Sequence, residues 1–317
     1  MNNADFYLLV NRAQVQGANT VSSPLTYGTP AMTGFIGAVH ALERKIPFAV
    51  DLRFEGVLIA SHTGRVKRYR KNAYSDYTLN QTRNPIKKNG KTASIIEEGK
   101  LDMTVSLVIP VRGQEDNDFD WLESNQSTFI EWVEQALYHQ RLAGGSIFGI
   151  ESVELISAEN LDQLKTRLAP AFILMDARKE LIDITRELQK QNPHATTLDA
   201  LLEVATLHHT PELKKTQEQE SNEKKETTLA YDWKTTNVKQ GRGWLVPMPV
   251  GYQAISPLYD AEFLQNSRAP HYPSQYVETL YSLGKWVFPY SLSSLETAFW
   301  QMNTGENGLY LVEQTNT

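Results

Sequence analysis

The chain has 317 residues, is 41% hydrophobic and 10% aromatic, and carries a net charge of −6. That is enough apolar material for one large domain or two modest ones, and it excludes a wholly disordered chain. There is no cysteine, which excludes a disulfide scaffold, thiolate metal sites and cysteine nucleophiles, and fits a reducing cytosol.

The opening MNNADFYLLVNRAQ has no basic stretch before an apolar run, so it does not read as a signal peptide. No segment reaches the roughly 20 apolar residues a spanning helix needs. The expectation is a soluble, cytoplasmic protein with no membrane partner.

Residues 5–16 read as a well-buried strand, with Phe6, Leu8, Val10 and Val15 on one face and Tyr7 and Leu9 on the other. The Pro- and Gly-containing VSSPLTYGTP breaks regular structure. A helix then starts with Thr29 as cap and Pro30 in its first turn, and Phe35, Val39 and Leu42 share a face. Residues 52–61 read as a second strand. Residues 101–111 alternate apolar and polar as a half-buried antiparallel strand does. An acidic loop, GQEDNDFD, precedes a helix over about 120–141 with Leu122, Phe129, Val133 and Ala136 buried. A Gly-rich turn, residues 142–146, leads to a fourth strand over 147–156.

Between the second and third strands lies a charge inversion. Residues 62–100 hold ten Lys/Arg and three Asp/Glu, so this segment carries +7 and the remainder −13. Screening over about 10 Å lets such a patch act against the average charge. Asn89-Gly90 signals a tight turn, which predicts a protruding two-stranded thumb tipped by Lys87, Lys88 and Lys91. Arginine forms bidentate phosphate contacts, and the interleaved Tyr69, Tyr74 and Tyr77 can stack on unpaired bases. A single-stranded nucleic acid is the ligand this chemistry fits, and a solvated charged hairpin without a partner is the alternative reading.

The order β-α-β-finger-β-α-β predicts an α+β fold with a ferredoxin-like, RRM-type βαββαβ core in residues 1–157, the thumb being inserted at about 62–100. Residues 158–317 read as a mainly helical, irregular half. Its helices are expected at 161–168, 177–191, 197–208, 277–287 and 292–301, with a mobile loop at 211–243.

Metal and catalytic signatures are absent. The seven histidines are scattered, and there is no HExxH, no GxSxG and no GxxxxGK[ST]. No metal or other cofactor is expected. His62, at the base of the finger, is the one candidate general base for RNA cleavage, and ordinary packing is the alternative reading of it. Trp244, Trp286 and Trp300 are core or interface residues that the sequence does not separate.

Five stretches carry a resemblance: SSPLTYGTPAMTGFIGAVHAL (22–42), TRNPIKKNGKTASIIEEGK (82–100), RLAGGSI (141–147), TTLDALL (196–202) and GWLVPMPVGYQAISPLY (243–259). In these the chain resembles the Csy-two subunits of type I-F CRISPR surveillance complexes, Cas-five-type members of the repeat-associated (RAMP) proteins. The resemblance implies a crRNA-binding subunit without catalytic activity. Its implied partners are the 5′ handle of the guide RNA, a large subunit, the adjacent backbone subunit and, in the assembled complex, target double-stranded DNA.

The RNA-binding residues expected on this basis lie in three groups. On the thumb they are Arg65, Lys67, Arg68, Tyr69, Arg70, Lys71, Arg83, Asn84, Lys87, Lys88 and Lys91. Beside the SSPL loop they are Asn19, Ser22 and Ser23. In the glycine-rich loop they are Arg141, Gly144 and Gly145. Type I-F systems are expected to process guide RNA with a separate endonuclease, so no catalytic role passes to His62 or Tyr69. The alternative of a different class is a metal-independent endoribonuclease acting on repeat RNA.

Overall fold

The computed structural model describes residues 4–213, 231–264 and 269–314. The chain forms two compact units. The first comprises Met1–Asp176, Met248–Ser282 and Trp286–Thr317, and the second Ala177–Pro247 and Leu283–Lys285.

The chain opens with strand β1 (Phe6–Asn19) and helix α1 (Met32–Glu43), followed by β2 (Leu52–Phe54) and β3 (Leu58–Val66). Three short strands, β4 (Arg68–Tyr69), β5 (Thr78–Arg83) and β6 (Ile95–Glu98), lead to the long β7 (Lys100–Gly113). Helices α2 (Asp116–Ser124) and α3 (Gln126–Tyr138) precede β8 (Arg141–Leu142), β9 (Gly145–Gly149) and β10 (Ser152–Ser157). Then come α4 (Leu164–Leu168), β11 (Phe172–Asp176), α5 (Arg178–Gln191), α6 (Thr197–Ala205), β12 (His208–Leu213) and β13 (Tyr231–Thr236). The last strands are β14 (Trp244–Ala254), β15 (Val277–Val287), β16 (Trp300–Thr304) and β17 (Tyr310–Gln314).

A 12-stranded sheet runs β16-β17-β14-β15-β11-β3-β7-β1-β9-β8, with β10 also on β1 and β2 also on β7. This overturns the expected fold class. The architecture is dominated by this large sheet, and the C-terminal half is rich in strands rather than mainly helical. Residues 277–287 form β15, and the stretch expected as a helix over 292–301 is a 3-10 turn, Leu295–Ala298, leading into β16. Apolar residues in 277–287 recur at spacings that suit a helix and also alternate as a strand's do, and short apolar windows do not separate the two. Available sheet partners decide the matter.

Smaller differences have local causes. The acids of GQEDNDFD start α2 rather than filling a loop: Glu115 and Asp118 form a capping box, and Asp118 Oδ2 accepts from the Glu115 N–H at 3.1 Å. Within the loop expected at 211–243, β12 and β13 pair as a hairpin from His208↔Thr236 to Leu213↔Tyr231, and residues 214–230 lie outside the described residues. In the second unit, Arg242 ties this region to α5 through Glu180 at 3.2 Å and Glu187 at 2.6 Å.

The sheet centre explains the stability of the first unit. Residues 6–11 of β1 are buried on both faces, as expected of a strand covered on both sides. Tyr7 and Leu9 join Leu58, Ala60, Val108, Leu164, Leu168, Ile173 and Phe299 in one core cluster. Alternation sends Phe6 the other way, where its ring stacks on Phe119 of α2 at 5.5 Å. Each such leucine or isoleucine contributes about 1.5–3 kcal/mol by leaving water.

The glycine-rich turn packs directly on β1. A Cβ at Gly145 would sit 2.8 Å from both the Ala18 nitrogen and the Gln16 carbonyl oxygen, and these backbone atoms cannot yield. Gly145→Ala is therefore expected to destabilise the first unit by about 1–3 kcal/mol. An unchanged denaturation midpoint in urea would show that the turn can move off β1.

Candidate nucleic-acid interface

The thumb grows out of the sheet. β3 and β7 stay paired to Val66↔Leu101, which sets Arg65 opposite Asp102. The Lys67 N–H then donates to the Lys100 carbonyl at 2.8 Å. Beyond that point β4 pairs with β5, and β5 with β6, so the thumb has three short strands rather than two. The turn expected at Asn89-Gly90 is present: the Gly90 N–H donates to the Lys87 carbonyl at 2.9 Å, and Gly90 has φ +75°. Lys87, Lys88 and Lys91 are all exposed around it.

The basic residues fall into two classes. Three are engaged at the root. Lys67 Nζ lies 2.9 Å and the Arg65 guanidinium 3.7 Å from the Asp102 carboxylate. Lys100 contacts Glu98 at 3.4 Å and donates to Asn19 Oδ1 at 3.0 Å. Asp102 also accepts the Gly17 N–H at 3.0 Å. Burial works to raise the Asp102 pKa, but Lys67, the Gly17 N–H and Arg65 together hold it below the usual carboxylate range.

The other seven, Arg68, Arg70, Lys71, Arg83, Lys87, Lys88 and Lys91, have no ion-pair partner among the described residues. Two of them are braced. The guanidinium carbons of Arg68 and Arg70 lie 4.4 Å and 4.9 Å from the centre of the Tyr77 ring. Their N–H edges remain available to phosphate. They line an open cleft of about 850 Å³ together with Arg65, Lys67, Lys71 and Tyr69. Tyr69 is 67% exposed and Tyr74 99%, so both rings are free to stack. Arg83 and Asn84 are exposed on the far arm.

Of the remaining expected residues, Asn19 and Gly144 meet beside the thumb's return strand. The Asn19 N–H donates to the Ala143 carbonyl at 2.9 Å, and its side chain lies against Gly144, where an added Cβ would approach Nδ2 to 2.7 Å. The Thr20 N–H donates to the Gly99 carbonyl at 3.1 Å. The glycine-rich turn and Lys100 therefore meet around Asn19, with Thr20, the residue before the SSPL-bearing loop, tied to Gly99. Ser22 and Ser23 spend their hydroxyls inside the loop, 2.7 Å and 2.6 Å from Thr26 Oγ1. Arg141 holds Ser146 Oγ at 2.9 Å.

His62 is built into the sheet. Its Nε2 lies 2.8 Å from Ser106 Oγ, which is 3.2 Å from Asn11 Oδ1 and also accepts the Arg12 N–H at 2.9 Å. With the serine proton given to Asn11 Oδ1, Nε2 is the donor to Ser106 Oγ. Nδ1 is buried without a hydrogen-bond partner. Burial, then the Arg12 charge, push the His62 pKa down, and they outweigh the Pro170 carbonyl near the ring and Glu151, which act to raise it; the Pro170 carbonyl lies outside good hydrogen-bond geometry for Nδ1. Because the unfolded chain binds this proton more tightly, His62 contributes stability that is present above about pH 6.5 and lost as pH falls through the native value. His62→Gln is expected to flatten the fall in denaturation midpoint between about pH 7.5 and pH 5.5. An equally steep fall in the variant would assign that pH dependence to other groups.

Among the described residues no three histidine, aspartate or glutamate side chains gather as a metal site, and no helix is long and apolar enough to cross a membrane.

The family model described as CRISPR-associated protein (Cas_Csy2) matches residues 8–312. The chain belongs to the Csy2 family. It is 33% identical over 320 residues to the CRISPR-associated protein Csy2 of Pseudomonas aeruginosa (strain UCBPP-PA14), an alignment covering 96% of this chain and 93% of that protein. The resemblance to type I-F Csy-two subunits thus extends over nearly the whole chain. Sequence reasoning on this Csy2-family chain missed Asp102, the anchor of the thumb root. Its signal was a lone acid at the start of an alternating strand, which gains meaning only once the β3–β7 register sets it opposite Arg65.

Proposed function

We propose that this Csy2-family chain is a non-catalytic crRNA-binding subunit of a type I-F surveillance complex. It holds the single-stranded 5′ handle of the guide RNA together with the large subunit and reaches the adjacent backbone subunit with its thumb. Target double-stranded DNA is met only in the assembled complex. The observation that carries this reading is the set of seven thumb cations without an ion-pair partner among the described residues, two of them braced on Tyr77 beside an open cleft. Unpaired cations release counterions when they meet phosphate, which gives affinity without base specificity. The −13 balance of the remaining chain confines that affinity to the thumb.

The absence of a catalytic role is supported by the state of His62. Its Nε2–H is committed to Ser106 and its Nδ1 is buried, so neither nitrogen is presented to a ribose hydroxyl.

The test is purification of the chain with its large partner from cells expressing guide RNA, followed by metal-free incubation with repeat RNA. Retained guide RNA and uncut repeat are the expected results. A 2′,3′-cyclic phosphate product would establish the endoribonuclease reading instead. Purification without RNA would remove the binding role.

A further inference from the structure

The first unit carries a second surface that the RNA reading does not use. Strand β14 ends at Ala254 and β15 begins at Val277. The two arms between them are tied by backbone bonds: Ile255 N–H to the Tyr276 carbonyl at 3.0 Å, and Tyr259 with Ser274 in both directions at 2.8 Å and 2.9 Å. At the end of one arm, residues 259–263 turn back on themselves. The Phe263 N–H donates to the Asp260 carbonyl at 3.2 Å, and the Glu262 N–H to the Pro270 carbonyl at 2.8 Å. Glu262 adopts φ +69°, a left-handed conformation that residues with a Cβ avoid.

The product of this turn is an aromatic stack. Phe263 lies on Tyr259 with ring centres 5.1 Å apart and planes 6° from parallel, and Tyr276 meets Tyr259 edge-on at 6.1 Å. Such clusters belong in cores, yet Phe263 is 66% exposed and Tyr276 57%, and Leu258 and Tyr272 of the same segment are exposed too. A tied loop that holds a residue in left-handed backbone to display rings to solvent is an interface in waiting.

Charge selects the occupant. Asp260 and Glu262 flank the stack in sequence, are exposed, and have no ion-pair partner among the described residues. Residues 255–276 hold these two acids and one base, Arg268. Two exposed carboxylates without an ion-pair partner among the described residues repel a phosphate backbone, so the acidic side of this platform does not suit a nucleic acid. A guanidinium suits both features, since it stacks flat on aromatic rings and pairs with carboxylates through a planar fork, which an ammonium does not match. We propose that residues 258–263 with Tyr272 and Tyr276 dock an arginine-bearing segment of a protein partner. This stands independently of the RNA-binding reading.

The test uses the full chain in its native complex. A photo-crosslinking benzoylphenylalanine replaces Phe263, and crosslinked peptides are sequenced. The expected product is a protein segment containing arginine. A crosslink to nucleic acid, a crosslink to an arginine-free segment, or no crosslink overturns the proposal. A synthetic peptide of the captured sequence is then titrated onto the wild-type chain. Arginine-to-lysine replacement in that peptide is expected to weaken binding at least about tenfold. Asp260→Asn with Glu262→Gln in the chain, with folding checked by circular dichroism, is expected to weaken it similarly. Unchanged affinity in either arm overturns the proposal.

Discussion

On the proposed function, reversing Arg68, Arg70 and Lys71 to glutamate is expected to lower the affinity of the chain and its large partner for single-stranded guide RNA by at least about a hundredfold, or about 2.7 kcal/mol. Hydrogen bonds to charged groups contribute about 1.5–3 kcal/mol each, so the loss of even two such contacts reaches this figure. These three side chains are exposed and have no carboxylate partner among the described residues, so their loss costs the fold little. Removing three phosphate contacts also reduces the slope of log affinity against log salt by about 2 for a single strand. Fluorescence anisotropy over a salt series measures both quantities. Unchanged affinity and slope would move RNA binding to the partner or to the surface around Asn19.

Two controls separate mechanism from folding. Tyr77→Leu releases Arg68 and Arg70 from their shared ring and is expected to weaken binding up to about tenfold, whereas Tyr77→Phe keeps the ring face and is expected to bind as wild type. Reversing Arg65 and Lys67 instead places like charges against Asp102 at the thumb root. That variant is expected to lose RNA through a disturbed thumb rather than through lost phosphate contacts, and circular dichroism with urea denaturation tells the two apart.

Trp300→Ala is expected to cost about 3–5 kcal/mol of stability. Trp300 is fully buried at the start of β16, and its indole N–H donates to the Leu174 carbonyl at 2.9 Å. Its backbone exchanges two 2.9 Å hydrogen bonds with Val57. Its carbonyl oxygen lies so close to Gly56 that an added Cβ there would approach to 2.4 Å. Truncation leaves a large cavity where strands from both ends of the chain meet. Urea denaturation of the full chain measures the loss, and a change below about 1 kcal/mol would show that the region collapses to fill the space. Of the three tryptophans the sequence left open, Trp300 is core and Trp244 is 58% exposed.

The sequence by itself determined the strands at residues 6–16 and 101–111 and the composition of the basic finger. The alternation in residues 101–111, the doubly apolar run at residues 6–10 and the Asn89-Gly90 turn were legible because each is a local pattern with one structural solution. The +7 finger, with its tyrosines, was legible because charge is additive along the chain. Residues 277–287 were not legible, because their apolar spacing satisfies both a helix and a strand and only pairing within the sheet removes the ambiguity.

The tertiary structure alone decided which cations are free to bind. Arg65 and Lys67 look no different in sequence from Arg68 and Arg70. The β3–β7 register sets Asp102 opposite Arg65 and within reach of Lys67, while the β4–β5 pairing carries Arg68 and Arg70 away to the Tyr77 ring. A residue's charge is a property of its side chain. Whether that charge is spent within the protein depends on the hydrogen-bonded register between strands distant in sequence, which no local pattern encodes.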